Sequence, residues 1–308
     1  MNSDATTPYE EIVLTCQDGI KLAGQHYRST LTNDEVEHRI LCWHGWLDNC
    51  RSFHRIGADL TSKLKNVDLV ALDFPGHGAS SHKSLDGAST IMMDLVYYLY
   101  DAIHQLQWQN EKITLLGHSM GAGICLMYAA AFDVDKLIML DCLGPMTKKA
   151  EDVVIGLRRH IEQKLKGKPP NSIYPNIDTA VQVRCASAMA MPGNQYISTE
   201  SAKALVTRAS DTLEGGKIQF VYDQRLKWPS MMYLSQEQLN QLYSDVANSS
   251  AKVCLLLARD GLPYHQSAVI SAQGLLKPYV CKTLPGSHHF HMDEDSSQTV
   301  VNEIIGFL

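Results

Sequence analysis

No apolar stretch in the chain approaches the ~18 residues that a membrane-spanning helix needs, so no membrane span is expected. Paired cysteines are also missing. Eight cysteines stand alone at positions 16, 42, 50, 125, 142, 185, 254 and 281, and that scatter contains none of the C-x-x-C spacings of zinc or thioredoxin-like sites. Cys42 and Cys254 lie inside apolar runs, where a reduced thiol behaves as a small hydrophobe; they read as core thiols in a reducing, cytoplasmic setting. Positive charge is not in excess. Lys+Arg number 27 against 33 Asp+Glu, a net charge of -6, and no block of like charge breaks the distribution. That balance argues against nucleic acid as a partner and against a polybasic membrane anchor. The opening MNSDATTPYEE has no basic segment followed by an apolar one, so no secretory signal is expected. The match to a glycosylation acceptor at Asn248 is read as chance. Repeats and low-complexity segments are absent.

What remains is a composition of 45% hydrophobic and 19% charged residues over 308 positions, suited to a single α/β domain with an insertion. Short apolar, β-branched runs alternate with longer amphipathic ones, the pattern of a parallel sheet with crossover helices. Strands are expected at 11–16, 21–27, 39–44, 67–74, 113–118, 136–141, 252–258 and 279–284, the first two forming a hairpin across QDG. Helical periodicity covers 51–65 and 88–107, the latter with Ile91, Leu95, Leu99, Ala102, Ile103 and Leu106 on one stripe. An apolar helix follows at 122–132, and an amphipathic one closes the chain with Val300, Ile304, Ile305 and Leu308 on one side. The alternation stops after LDCLGP. Residues 146–250 are richer in charge and mostly helical in period, so they are expected to form an insertion over a core made of 1–145 and 251–308.

Between the strand at 113–118 and the apolar helix stands Gly117-His118-Ser119-Met120-Gly121. A G-x-S-x-G run in that context demands a sharp reversal with the serine at its apex, and the flanking glycines remove Cβ atoms that would collide with strand and helix. The helix that follows aims its positive end at the serine. A serine hydroxyl needs a base, and the base needs a carboxylate to orient it. The base is expected after the last strand, where LPGSHHFHMDED offers His288 first, His289 as the fallback, and His291. A metal cluster is a competing reading of HHFH, but no matching ligand set is evident elsewhere, so neither metal nor cofactor is expected. For the acid, Asp260 ends the strand after the insertion and Asp141 the strand before it. Both preserve the order Ser…Asp…His. Asp260 is preferred as the commoner arrangement; Asp141 would otherwise hydrogen-bond the turn that opens the insertion.

An oxyanion formed at the serine needs two N–H donors, for which Met120 and Trp46, the latter in the loop His44-Gly45-Trp46, are the candidates. The Trp46 ring either floors the pocket or simply packs. His77, in DFPGHGASSH, reads as structural. Met- and Tyr-rich stretches of the insertion, MAMPGNQY and WPSMMYL, read equally as walls of an apolar pocket or as ordinary core.

HGWLDN, DFPGHGASSH, LLGHSMG and PGSHHFHM, in this order and spacing, resemble the α/β-hydrolase superfamily over nearly the whole chain outside 146–250. HGWLDN together with YDQRLKW (222–228) resembles the serine hydrolase-like, or kraken-type, proteins. The resemblance implies an α/β fold: a mostly parallel sheet of about eight strands, helices on both faces and a helical cap. It also implies a serine hydrolase with peroxisomal or vesicular placement, although the final GFL is not a peroxisomal tripeptide. Ser119 at the elbow argues against the aspartate-nucleophile chemistry of haloalkane dehalogenases and many epoxide hydrolases. The expected partner is a small ester-type molecule with an apolar part. The alternatives are a thioesterase or C–C bond hydrolase with the same machinery, or a hydrolase fold kept as a binder or interaction module.

Overall fold

The computed structural model describes residues 9–29, 35–84 and 92–308. Its centre is an eight-stranded sheet built from β1 (Glu10–Thr15), β2 (Lys21–Arg28), β3 (His38–Trp43), β4 (Val67–Leu72), β5 (Ile113–His118), β6 (Lys136–Leu140), β10 (Lys252–Asp260) and β11 (Val280–Ser287). The order across the sheet is β1-β2-β4-β3-β5-β6-β10-β11. β1 and β2 form the expected antiparallel hairpin and β2 runs antiparallel to β4. Every other neighbouring pair is parallel. The parallel strands are buried on both faces, which is why their sequences are continuous apolar runs rather than alternations.

Helices seal both faces. On one side lie α2 (Asp94–Gln105), α3 (Met120–Ala131), α7 (Gln236–Asn248) and α8 (Gln266–Leu276), which contribute Leu99, Ile124, Val246 and Leu276 to one core cluster. On the other, α1 (His54–Lys63) and α9 (Ser297–Phe307) bring Ile56, Leu60, Val300 and Ile304 to a second. α3 sits centrally against β5 and β6 with α2 and α7 around it, so it has no solvent face, and Gly121 through Ala129 are all buried. Its uniformly apolar sequence follows from that position. In α2, Leu95, Leu99, Ala102 and Ile103 are buried as the stripe predicts; Ile91 lies outside the described residues.

Between β6 and β10 the chain forms α4 (Val153–Lys166), β7 (Ile173–Tyr174), α5 (Ile177–Met189), α6 (Thr199–Arg208), β8 (Ser210–Thr212), β9 (Ile218–Phe220) and then α7. The helical period is present, but a three-stranded antiparallel sheet, β7-β9-β8, was not expected. Ala180, Val181, Leu205, Val206 and Phe220 make a separate small core here. α7 does not share that core. It packs on α3 and α8, with Leu239, Tyr243 and Val246 inside the main cluster, and the Tyr243 hydroxyl donates to the Leu143 carbonyl. Six of the eight cysteines are buried and all eight are free thiols; burial pushes Cys142 up to about 12. Among the described residues, no helix is long and apolar enough to cross a membrane.

Candidate active site

Ser119 joins β5 to α3 with φ 51° and ψ −120°, a left-handed backbone that a residue with a side chain adopts only at a cost of order 1–3 kcal/mol. The turn is pinned on both sides: Ser119 N–H donates to the Leu140 carbonyl at 3.0 Å, and its own carbonyl accepts from Ala122 N–H at 3.0 Å. The approach of α3 to the sheet explains the glycines. A Cβ on Gly121 would lie 2.0 Å from the Trp43 carbonyl oxygen, and one on Gly117 would lie 2.4 Å from the Ala122 backbone. As the first residue of α3, Met120 has an N–H with no acceptor inside the helix.

The serine lines a cavity of about 370 Å³ whose wall also includes Trp46, His118, His288 and His289. His288 leaves the end of β11 with its ring half-buried, and its Nδ1–H donates to Asp141 Oδ2 at 2.6 Å. That bond leaves Nε2 as the proton-accepting nitrogen of the neutral ring. Asp141, fully buried and at φ 44°, extends from the end of β6 across the end of β10. Its Oδ1 accepts from Ala258 N–H at 3.0 Å and its Oδ2 from Leu262 N–H at 3.1 Å.

The carboxylate against His288 is therefore Asp141, and the expectation for Asp260 is corrected. The register of β10 against β11 shifts between Ala258 and Asp260, and Asp260 is carried past the histidine towards Tyr196, whose pKa it helps to raise after burial and the charges of Asp295 and Asp293. Gly261 then leaves the space that Asp141 fills, since a Cβ there would sit 2.4 Å from Asp141 Oδ2. His289, the fallback base, is buried and faces a different carboxylate: its Nε2 is 3.2 Å from Asp48 Oδ2. His291 is buried deeper, with Nε2 2.7 Å from Ser52 Oγ. Among the described residues no group of three or more His, Cys, Asp or Glu is arranged to hold a metal ion.

The remaining sequence candidates have local tasks. His44 Nδ1–H donates to the Gly45 carbonyl at 2.7 Å while its Nε2 accepts from Phe74 N–H at 3.0 Å, tying the loop after β3 to the loop after β4. Burial lowers its pKa to about 4, so the ring is neutral. His77 is buried against His44 and Phe74, as a structural residue would be. His118 Nε2–H donates to the His288 carbonyl at 2.8 Å, so the residue before the serine holds the backbone of the histidine. Gly45 admits the His118 ring, with 3.1 Å between its would-be Cβ and His118 Nδ1. The Trp46 indole N–H donates to the Leu226 carbonyl at 2.9 Å, anchoring the loop after β3 to the inserted segment.

Two further groups had no role assigned from sequence. Asp48, buried within the loop after β3, accepts from Arg184 Nη2 of α5 at 2.7 Å through Oδ1 and faces His289 through Oδ2. Burial works to raise its pKa, but the charges of His289 and Arg184 and the His289 hydrogen bond outweigh burial and hold it well below the ordinary carboxylate value. Gln195, also from the inserted segment, accepts from His288 N–H at 2.9 Å and donates to the Gly261 carbonyl at 2.5 Å. One amide thus clamps the histidine to the turn over Asp141. The outer wall of the cavity is apolar, formed by Val183, Leu205, Val206, Phe220 and Tyr222.

Comparisons with known proteins bear on the fold and the family. The family model of the alpha/beta hydrolase fold matches residues 38–157. A serine hydrolase-like protein of Danio rerio is 28% identical over 286 residues, covering 87% of this chain and 81% of its own. Serine hydrolase-like protein 2 of Homo sapiens is 28% identical over 291 residues, covering 87% and 86%. Among solved structures, a hypothetical protein from Pseudomonas aeruginosa superposes with a TM-score of 0.81 at 29% identity, over 97% of this chain and 98% of that one. The thioesterase domain from the curacin biosynthetic pathway reaches a TM-score of 0.78 at 20% identity over 97% and 99%, a likeness of fold.

Proposed function

Because the chain belongs to the α/β-hydrolase superfamily and resembles the serine hydrolase-like proteins, we propose that it hydrolyses carboxylic esters or related acyl bonds through an acyl-serine intermediate. The observation that carries the reading is the strained Ser119 sharing one cavity with His288, whose Nδ1–H is held by buried Asp141. Ser119 Oγ attacks the ester carbonyl while His288 Nε2 takes its proton. Asp141 keeps the ring in the tautomer that leaves Nε2 free and stabilises the imidazolium that forms. The oxyanion receives the N–H groups of Met120 and Trp46, and the positive end of α3 adds to them. Collapse expels the alcohol with the proton from His288. Water, deprotonated by the same ring, then releases the acid and regenerates the serine. No step calls for a metal or an organic cofactor.

The part of residues 146–250 that precedes α7 acts in this reading as the cap. Its apolar side chains in the wall fit an acyl or alkyl group without charge, while Gln195 and Arg184 bind the cap to the machinery beneath it. The test is a series of p-nitrophenyl esters of increasing acyl length, run on the wild-type chain and on Ser119→Ala. Turnover that Ser119→Ala abolishes supports the proposal. Wild-type protein that binds these esters without turnover is instead a binding module on a hydrolase fold.

A further inference from the structure

α4 is almost wholly outside the protein. Val154 is 67% exposed and Leu165 82%, and Val153, Leu157 and Ile161 are exposed beside them. At helical spacing, Val153, Leu157 and Ile161 follow one another at four-residue steps, and Val154 and Leu165 flank them on the same side. The side turned to the protein is different: His160 is buried, its Nδ1–H donating to the Pro229 carbonyl at 2.8 Å, and Gly156 approaches the backbone of Ser230. The helix is thus docked by one edge and presents an apolar stripe that nothing among the described residues covers.

Charge decides among the occupants of that stripe. The helix carries Arg158, Arg159, Lys164 and Lys166 against Glu162 alone, a net +3 within a chain of net -6. Arg158 and Lys164 border the stripe on its two sides at helical spacing, and no ion pair engages any of the four basic residues among the described residues. A second copy meeting this face across a two-fold axis would bring basic borders against basic borders. A surface that is apolar inside and anionic at its rim matches both properties. We propose that α4 is a peripheral membrane-binding helix, lying in the headgroup region of an anionic bilayer with Val153, Val154, Leu157, Ile161 and Leu165 inserted and Arg158 and Lys164 on the lipid phosphates and carboxylates. The surface is close to the cavity along the chain: after the helix ends at Lys166, the polypeptide reaches the cavity wall at Ser172 and Tyr174.

The experiment is co-sedimentation of the full chain with phosphatidylcholine vesicles, with and without phosphatidylserine, at low and high salt. Binding is expected only with phosphatidylserine and is expected to weaken with salt. Leu157→Glu with Ile161→Glu, and separately Arg158→Glu with Lys164→Glu, should each reduce it about tenfold or more, with circular dichroism and melting temperature as in the wild type. Should the double glutamate variant lose stability, Leu165→Glu at the most exposed position serves in its place. No binding to either vesicle, or binding that these variants leave intact, overturns the proposal. So does a dimer, seen by analytical ultracentrifugation, that Leu157→Glu dissolves in a chain indifferent to vesicles.

Discussion

Replacing Asp141 by asparagine separates the two carboxylates that the sequence left open. In the native site, Oδ2 holds His288 Nδ1–H at 2.6 Å and also accepts from Leu262 N–H, while Oδ1 accepts from Ala258 N–H. An asparagine keeps the volume but has one acceptor oxygen and one amide that can only donate. If the oxygen stays on the Ala258 side, the amide faces Nδ1 and forces the proton to Nε2, where it blocks the base. Triads that lose their acid in this way lose on the order of 10⁴ in turnover. One backbone N–H is also left unpaired, at about 1–3 kcal/mol of stability, so the melting temperature should fall modestly while the chain stays folded. Asp260→Asn, whose carboxylate has no hydrogen bond to His288, should hold its rate within about twofold. Both variants are read with one p-nitrophenyl ester at pH 7.5. A large loss in Asp260→Asn beside a mild one in Asp141→Asn would refute the geometry.

Other perturbations follow from the same contacts. Gly261→Ala places a Cβ where Asp141 Oδ2 now lies; a shifted carboxylate should lower turnover about a hundredfold in a chain whose circular dichroism is unchanged. Asp48→Ala strands the Arg184 guanidinium, whose side chain is 19% exposed; loss of about 3–5 kcal/mol in urea unfolding is expected, and a loss below 1 kcal/mol would show that the pair does not hold the cap. For pH, burial lowers His44 from 6.5 to about 4, so the unfolded chain binds this proton first. Its contribution, roughly 3 kcal/mol, is fully present above pH 6.5 and is lost as the pH falls towards 4. Urea midpoints measured between pH 7.5 and 4.5 should fall accordingly, and less so in a folded His44→Asn variant.

Much of this site was legible in the sequence, and the parts that were not share a cause. The elbow is local chemistry: Gly117, Ser119 and Gly121 are demanded by one turn, so a window of five residues displays it. The buried strands announce themselves by unbroken apolar runs. Asp141 and Asp260 could not be told apart because each ends a strand beside the same histidine, and the choice rests on a register shift in β10 and on the absence of a Cβ at Gly261. Asp48 lay in plain view in HGWLDN, an acid within a tight apolar loop, yet its partner Arg184 is 136 residues away. Gln195 sits in no motif, and its clamp exists only once the insertion has folded over the core. The small sheet β7-β9-β8 was missed because strands of two or three residues are too short to show alternation. The charge of α7 groups it with the insertion, although its Leu239, Tyr243 and Val246 stripe is that of a helix packed on α3 and α8.

The central claim is that Ser119 is a nucleophile driven by His288. It is tested most directly by treating the folded chain with a fluorophosphonate at neutral pH and mapping the adduct by mass spectrometry. The account predicts a single phosphonylated serine, Ser119, formed quickly in the wild type and slowly in His288→Ala. An unlabelled chain, a label on another residue, or equal rates in both proteins would contradict it.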